Sequence, residues 1–175
     1  MGARVALLNK NITHLAFLSS SGLSEIYDAI ILERRKGVDF KTDHKEIQEN
    51  VQHLIEVYKD ILDNPTSLKK WHGQAYRRWS SFFDPPIEDL IKLDIPIFAA
   101  KGTKDKNSSV EAFDILPVEF IRHGKKNLTW REYPNLDHGF GENMFENKKE
   151  ILKNRSIDVL NELIEWVKKN NGYIK

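Results

Sequence analysis

The sequence of 175 residues contains no cysteine. That absence excludes disulfides, thiolate nucleophiles and cysteine-based metal sites. No apolar run approaches the length of a membrane-spanning segment and no signal peptide opens the chain, so we expect a cytoplasmic protein that does not contact a membrane. The chain also has no large excess of positive or negative charge, since it contains 27 basic and 26 acidic side chains. With no basic stripe, we expect no nucleic-acid partner.

The histidines offer no metal site. Five of the six fall on different predicted elements without the spacing that metal ligands need: His14, His44, His53, His72 and His123. We therefore expect neither a metal nor a cofactor.

The remaining composition is that of a soluble globular protein, with 40% apolar and 30% charged residues. Apolar runs over residues 12–19, 95–100 and 128–133 predict strands, and the first two lack the alternation of a half-exposed strand. Helical periodicity follows the later strands, ending in a long predicted helix over residues 147–169. This order predicts an α/β fold with a mostly parallel sheet and flanking helices.

A stretch of helical character, residues 23–93, interrupts this alternation. We assign residues 1–22 and 94–175 to the α/β core and residues 23–93 to an inserted helical domain. The insert contains a dense aromatic group, Trp71, Tyr76, Trp79 and Phe82, in a segment whose residues Trp71, Trp79 and Phe82 lie on one predicted helical stripe. Core packing explains such a group most simply. The functional alternative is a lid that lines an apolar substrate pocket.

Two polar residues follow predicted strands at the positions where α/β proteins keep their reactive groups. Asp105 comes after the strand over residues 95–100, and His138 lies in a loop after the strand over residues 128–133. A carboxylate beside an imidazole orients the ring and stabilises its protonated form, so the ring can take a proton from a nucleophile. The pair is a candidate catalytic acid and base.

The motifs Gly102-Thr103-Lys104-Asp105 and Asp137-His138-Gly139-Phe140 resemble the C-terminal half of an α/β-hydrolase, in the dienelactone-hydrolase, prolyl-oligopeptidase and related esterase branches. The resemblance implies a partial α/β-hydrolase fold. Strands six, seven and eight would be residues 12–19, 95–100 and 128–133, with a helical lid between the first two. It also implies that Asp105 is the acid, that His138 is the base, and that an ester, amide or peptide is the substrate.

The family's nucleophile is missing, because no Gly-x-Ser-x-Gly occurs in the chain. Met1-Gly2 resembles the last two residues of that motif, so we expect the serine to precede residue 1. Ser19-Ser20-Ser21-Gly22 is a poor substitute, since no elbow glycine precedes it. We therefore expect the C-terminal portion of a serine hydrolase, without appreciable esterase or peptidase activity of its own.

Loss of the preceding strands would leave strand six with a bare edge and the first helix without its packing partner. We expect a homodimer through that edge or that helix. Two alternatives stay open. The chain could be a non-catalytic binding or assembly module on a degenerate hydrolase scaffold, or an unrelated small α/β domain such as a flavodoxin-like one.

Overall fold

The computed structural model describes residues 2–146 and 149–171, and the side chains outside residues 145–150 within them. The chain folds into two compact units, one of residues 1–22 and 86–175 and the other of residues 23–85. We name them the core unit and the inserted unit. The described residues form seven helices and seven strands: α1 Gly2–Leu8, β1 Leu15–Leu18, α2 Glu25–Asp39, α3 His44–Asp63, β2 Lys70–Trp71, β3 Gln74–Ala75, α4 Tyr76–Ser80, α5 Pro86–Leu90, β4 Ile97–Gly102, α6 Val110–Arg122, β5 Leu128–Tyr133, β6 Gly141–Glu146, β7 Lys149–Asn154 and α7 Ser156–Asn170.

The core unit is built on a three-stranded parallel sheet in the order β1-β4-β5. All six residues of the central strand β4 are buried, which explains why its sequence is apolar without alternation. Ile97 and Ala99 pack on one face of the sheet with Phe113 of α6. Phe98 and Ala100 pack on the other face with buried side chains of α7. The predicted α/β class with a parallel sheet is confirmed.

The predicted helix over residues 147–169 is wrong in its first part. Residues 141–146 and 149–154 form the antiparallel pair β6–β7, and helix α7 begins only at Ser156. Residues 147 and 148 lie outside the described residues. The strand register places Glu142 opposite Lys153, and opposite charges at facing positions favour pairing. The backbone N–H of Arg155 donates to the Phe140 carbonyl at 2.9 Å and closes the hairpin. The His138 loop therefore leads into a hairpin and not directly into a helix.

The inserted unit contains the long helices α2 and α3, which pack on each other, and the short elements β2, β3 and α4. The helical stripe predicted around Trp71 and Trp79 is wrong, because a hairpin turn at His72-Gly73 interrupts it. Both turn residues have positive φ, +47° at His72 and +76° at Gly73, which a helix cannot accommodate. The short helix α5, placed in the insert from its sequence, belongs to the core unit.

Among the residues that the structure describes, no helix is long and apolar enough to cross a membrane.

Candidate active site

Asp105 is the centre of the candidate site. It lies just past the carboxyl end of β4 and its side chain is fully buried. Its Oδ1 accepts the backbone N–H groups of Asn107 at 2.8 Å and Ser108 at 3.1 Å. Its Oδ2 faces His138 Nδ1 at 3.0 Å and Lys101 Nζ at 3.1 Å. Each carboxylate oxygen thus has two partners, as a buried carboxylate requires.

The surroundings favour the ionised form of this carboxyl group. Burial by itself raises the pKa of Asp105. The hydrogen bonds from His138 and from the backbone of Asn107, together with the Lys101 ammonium, outweigh burial and hold that pKa below its ordinary value. An ionised carboxylate only accepts hydrogen bonds, so His138 Nδ1 carries the proton and Nε2 has the free lone pair.

Lys101 was not identified from the sequence as part of the site. Its side chain is fully buried on β4, and its ammonium binds Asp105 and also donates to the Ser20 carbonyl at 3.3 Å. A lysine with no exposed surface needs such partners, because an unpaired buried ammonium is costly. The available signal was its position, since Lys101 follows Ile97 and Ala99 on one face of a buried strand.

The loop that presents His138 is fixed by buried side chains on both sides of it. Leu136 and Phe140 are buried, whereas the His138 side chain is 47% exposed. The Asp137 carboxylate accepts the backbone N–H groups of Gly139 at 2.9 Å and Gly141 at 2.7 Å, so the loop holds itself together. The imidazole is therefore anchored through Nδ1 and open to solvent elsewhere.

Gly102 lets this loop approach the Asp105 loop closely. A Cβ atom at Gly102 would lie 2.1 Å from the Leu136 carbonyl oxygen, far inside van der Waals contact. Only glycine fits such a backbone approach. The backbone N–H of Lys104 donates to the same Leu136 carbonyl at 2.9 Å, and that of Asn135 donates to Thr103 Oγ1 at 2.9 Å. These contacts join the two loops and set the distance between Asp105 and His138.

A pocket of about 600 Å³ opens beside His138, and apart from two glycines the described residues that line it all have polar or charged side chains. The lining consists of Lys104, Lys106, Asn107, Asn135, Asp137, His138, Gly139, Gly141, Glu142 and Asn143. None of these described residues has a hydroxyl or thiol side chain, so an attacking group would have to come from elsewhere. Within the described part of the chain, no group of three or more His, Cys, Asp or Glu side chains could hold a metal ion.

The four aromatic residues predicted to bind substrate lie in the inserted unit, where they have structural contacts of their own. The ring centroids of Trp71 and Trp79 are 4.6 Å apart, and Trp79 Nε1 donates to the Trp71 carbonyl at 3.0 Å. The Arg78 guanidinium lies 4.5 Å from the Phe82 ring centroid. Tyr76 is buried and donates its hydroxyl to Asp60 at 2.7 Å. Their role in substrate binding stays a prediction.

The site thus contains an oriented imidazole with a free nitrogen at the mouth of a polar pocket. That is the arrangement of a general base whose carboxylate partner stabilises the imidazolium. Comparison of the sequence with family models and with curated proteins gives no match.

Proposed function

We propose that Asp105 and His138 act as the acid and the base of a hydrolase that cleaves ester, amide or peptide bonds, in the manner of the α/β-hydrolases. One observation carries the proposal, namely the 3.0 Å contact between His138 Nδ1 and Asp105 Oδ2 at the ends of neighbouring parallel strands. The buried Asp105 orients the ring, and the exposed Nε2 removes a proton from an attacking group.

The nucleophile is a group outside the pocket lining. Among the described residues the lining has no serine, threonine or cysteine, so the chain alone is expected to hydrolyse simple esters at a rate close to that of buffer. A base that lacks its nucleophile can act on a small nucleophile supplied in solution. Hydroxylamine is suitable, because it attacks the ester carbonyl, expels the alcohol and leaves a hydroxamate that is measured directly.

The experiment compares hydroxamate formation from phenyl acetate by the wild type and by three single variants. We expect the wild type to exceed the solution rate. His138→Ala should lose this excess and Asp105→Asn should lose most of it, because Asp105 holds the productive tautomer. The control is His44→Ala, which removes an exposed imidazole in the inserted unit and should leave the rate unchanged. A rate equal in wild type and His138→Ala would refute the proposed role.

The predicted homodimer stays a prediction. In the described part of the chain, β1 pairs only with β4, so one of its edges has no strand partner there. An unpaired edge favours strand addition from a second chain. Sedimentation at micromolar concentration tests this, and a monomer would contradict it.

A further inference from the structure

We infer that the pocket beside His138 binds an anionic group, a carboxylate or a phosphate, so that the substrate of the proposed hydrolase carries such a group near its scissile bond. The statement about the substrate rests on the proposed function, whereas the binding of an anion can be measured independently of that function. The preference for an anion follows from which charged side chains of the lining already pair with other groups of the protein and which do not.

Both acidic side chains of the lining are engaged. The Asp137 carboxylate accepts two backbone N–H groups of its own loop. Glu142 pairs with Arg155 at 3.0 Å, across the base of the β6–β7 hairpin. A ligand cation would have to compete with Arg155 for Glu142, which leaves it Asp137 alone among the acidic side chains of the described lining.

Both lysines of the lining are available. Lys104 and Lys106 lie on either side of Asp105 in the loop after β4, and both are exposed. Neither side chain makes an ion pair or hydrogen bond with any residue that the structure describes. The negative charge of Asp105 between them is already matched by the buried Lys101. Arg155 matches Glu142, so the two ammonium groups stand against the single Asp137 carboxylate, and the described lining has an excess of one positive charge.

The neutral part of the lining suits the same ligand. The side-chain amides of Asn107, Asn135 and Asn143 contribute N–H donors, and they too have no side-chain partner in the described residues. Hydrogen bonds from ammonium groups to carboxylate or phosphate oxygens are stronger than neutral ones. The described lining has no apolar side chain, so its apolar surface comes from glycine and from the carbon stems of polar side chains.

The test compares two esters that differ by one methyl group and one charge. Monomethyl succinate carries a carboxylate and dimethyl succinate does not. Inorganic phosphate serves as a third probe that has no ester. Binding is followed by NMR through the backbone amides of residues 104–107 and 135–143. We expect monomethyl succinate and phosphate to shift these amides, with dimethyl succinate binding at least about tenfold more weakly. Rising salt should weaken the binding of both anions.

A double variant, Lys104→Gln with Lys106→Gln, should weaken the binding of both anions by about tenfold or more. The matched control is Lys45→Gln with Lys168→Gln, which removes two exposed ammonium groups elsewhere and changes the net charge equally. Equal binding of the two esters, or equal loss in both double variants, would overturn the inference. A monomethyl succinate response without a phosphate response places a carboxylate site there, and the reverse places a phosphate site. The proposed function fails separately, through hydroxamate formation that does not depend on His138.

Discussion

Replacing Lys101 by methionine is expected to destabilise the core unit strongly. Methionine has a similar length and no charge, so the substitution removes the ammonium and keeps most of the packing volume. Asp105 then keeps His138 on one oxygen and two backbone N–H groups on the other, but loses its only buried counter-charge. The main loss of stability comes from leaving the carboxylate buried without its counter-charge.

The magnitude follows from the geometry. At 3.1 Å, the Lys101 ammonium and the Asp105 carboxylate attract each other by about 5 kcal/mol if the effective dielectric constant is about 20. Part of this is offset, because methionine avoids the cost of removing an ammonium from water. Removing one partner of a buried pair costs about 3 to 5 kcal/mol, and the three remaining hydrogen bonds of Asp105 place this case near the lower value.

Urea denaturation, followed through the indole N–H resonances of Trp130 and Trp166, reports the stability of the core unit alone. The control is Lys104→Met, which removes an exposed ammonium from the next loop and should change stability by less than about 0.5 kcal/mol. Asp105→Asn in the Lys101→Met background should cost less than it costs in the wild type, since the pair is already broken. A loss below about 1 kcal/mol for Lys101→Met, or full additivity of the two substitutions, would refute the reasoning.

Three further outcomes are expected. The pKa of Asp105 is lower in the folded state than its ordinary value, so the ionised carboxylate stabilises the fold above the ordinary carboxyl pKa. This stabilisation is lost as the pH falls below about 4. The destabilisation by Lys101→Met should therefore become smaller at such low pH. Gly102→Ala should destabilise the core unit by about 2 kcal/mol or more and weaken His138 reactivity, because the new methyl group would collide with the Leu136 carbonyl. Gly139→Ala should be tolerated, because its methyl group would have no neighbour closer than 3.6 Å. Burial, and then the neighbouring Asp114, raise the pKa of Glu132, so the ionised carboxylate destabilises the fold above its ordinary pKa. Glu132→Gln should therefore be more stable than the wild type near neutral pH and no more stable near about pH 3. Urea titrations at the two pH values measure this difference.

Much of the sheet, and the placement of Asp105 and His138 at its edge, was predictable from local sequence. The strand over residues 128–133 has the predicted limits, and the buried strand before Asp105 was evident from its unbroken apolar run. Carboxyl ends of adjacent parallel strands meet at one edge, so two polar residues that follow such strands come together. In agreement with that rule, Asp105 and His138 lie within hydrogen-bonding distance of each other.

The parts that were mispredicted depend on interactions distant in sequence or on turn geometry. The β6–β7 hairpin is closed by Arg155, which bonds back to Phe140 and Glu142, and no helical periodicity reveals such an interaction. The turn at His72-Gly73 places a non-glycine residue at positive φ, which propensity alone does not anticipate. Lys101 was missed because a lysine is normally exposed, and only its partner Asp105 makes full burial tolerable.

The backbone contact at Gly102 has a consequence for how this site can change over time. The separation of the Asp105 and His138 loops is set by main-chain atoms, through the Gly102 approach to Leu136 and the Lys104 N–H bond to the same carbonyl. Thr103 Oγ1 adds a side-chain contact, whereas the side chains of Lys104, Lys106 and Asn143 in the pocket lining take no part. Mutation of these three residues can therefore alter what the pocket binds without disturbing the contact between Asp105 and His138. Two properties that usually constrain each other during adaptation, ligand preference and the geometry of the Asp105–His138 pair, are here free to vary independently.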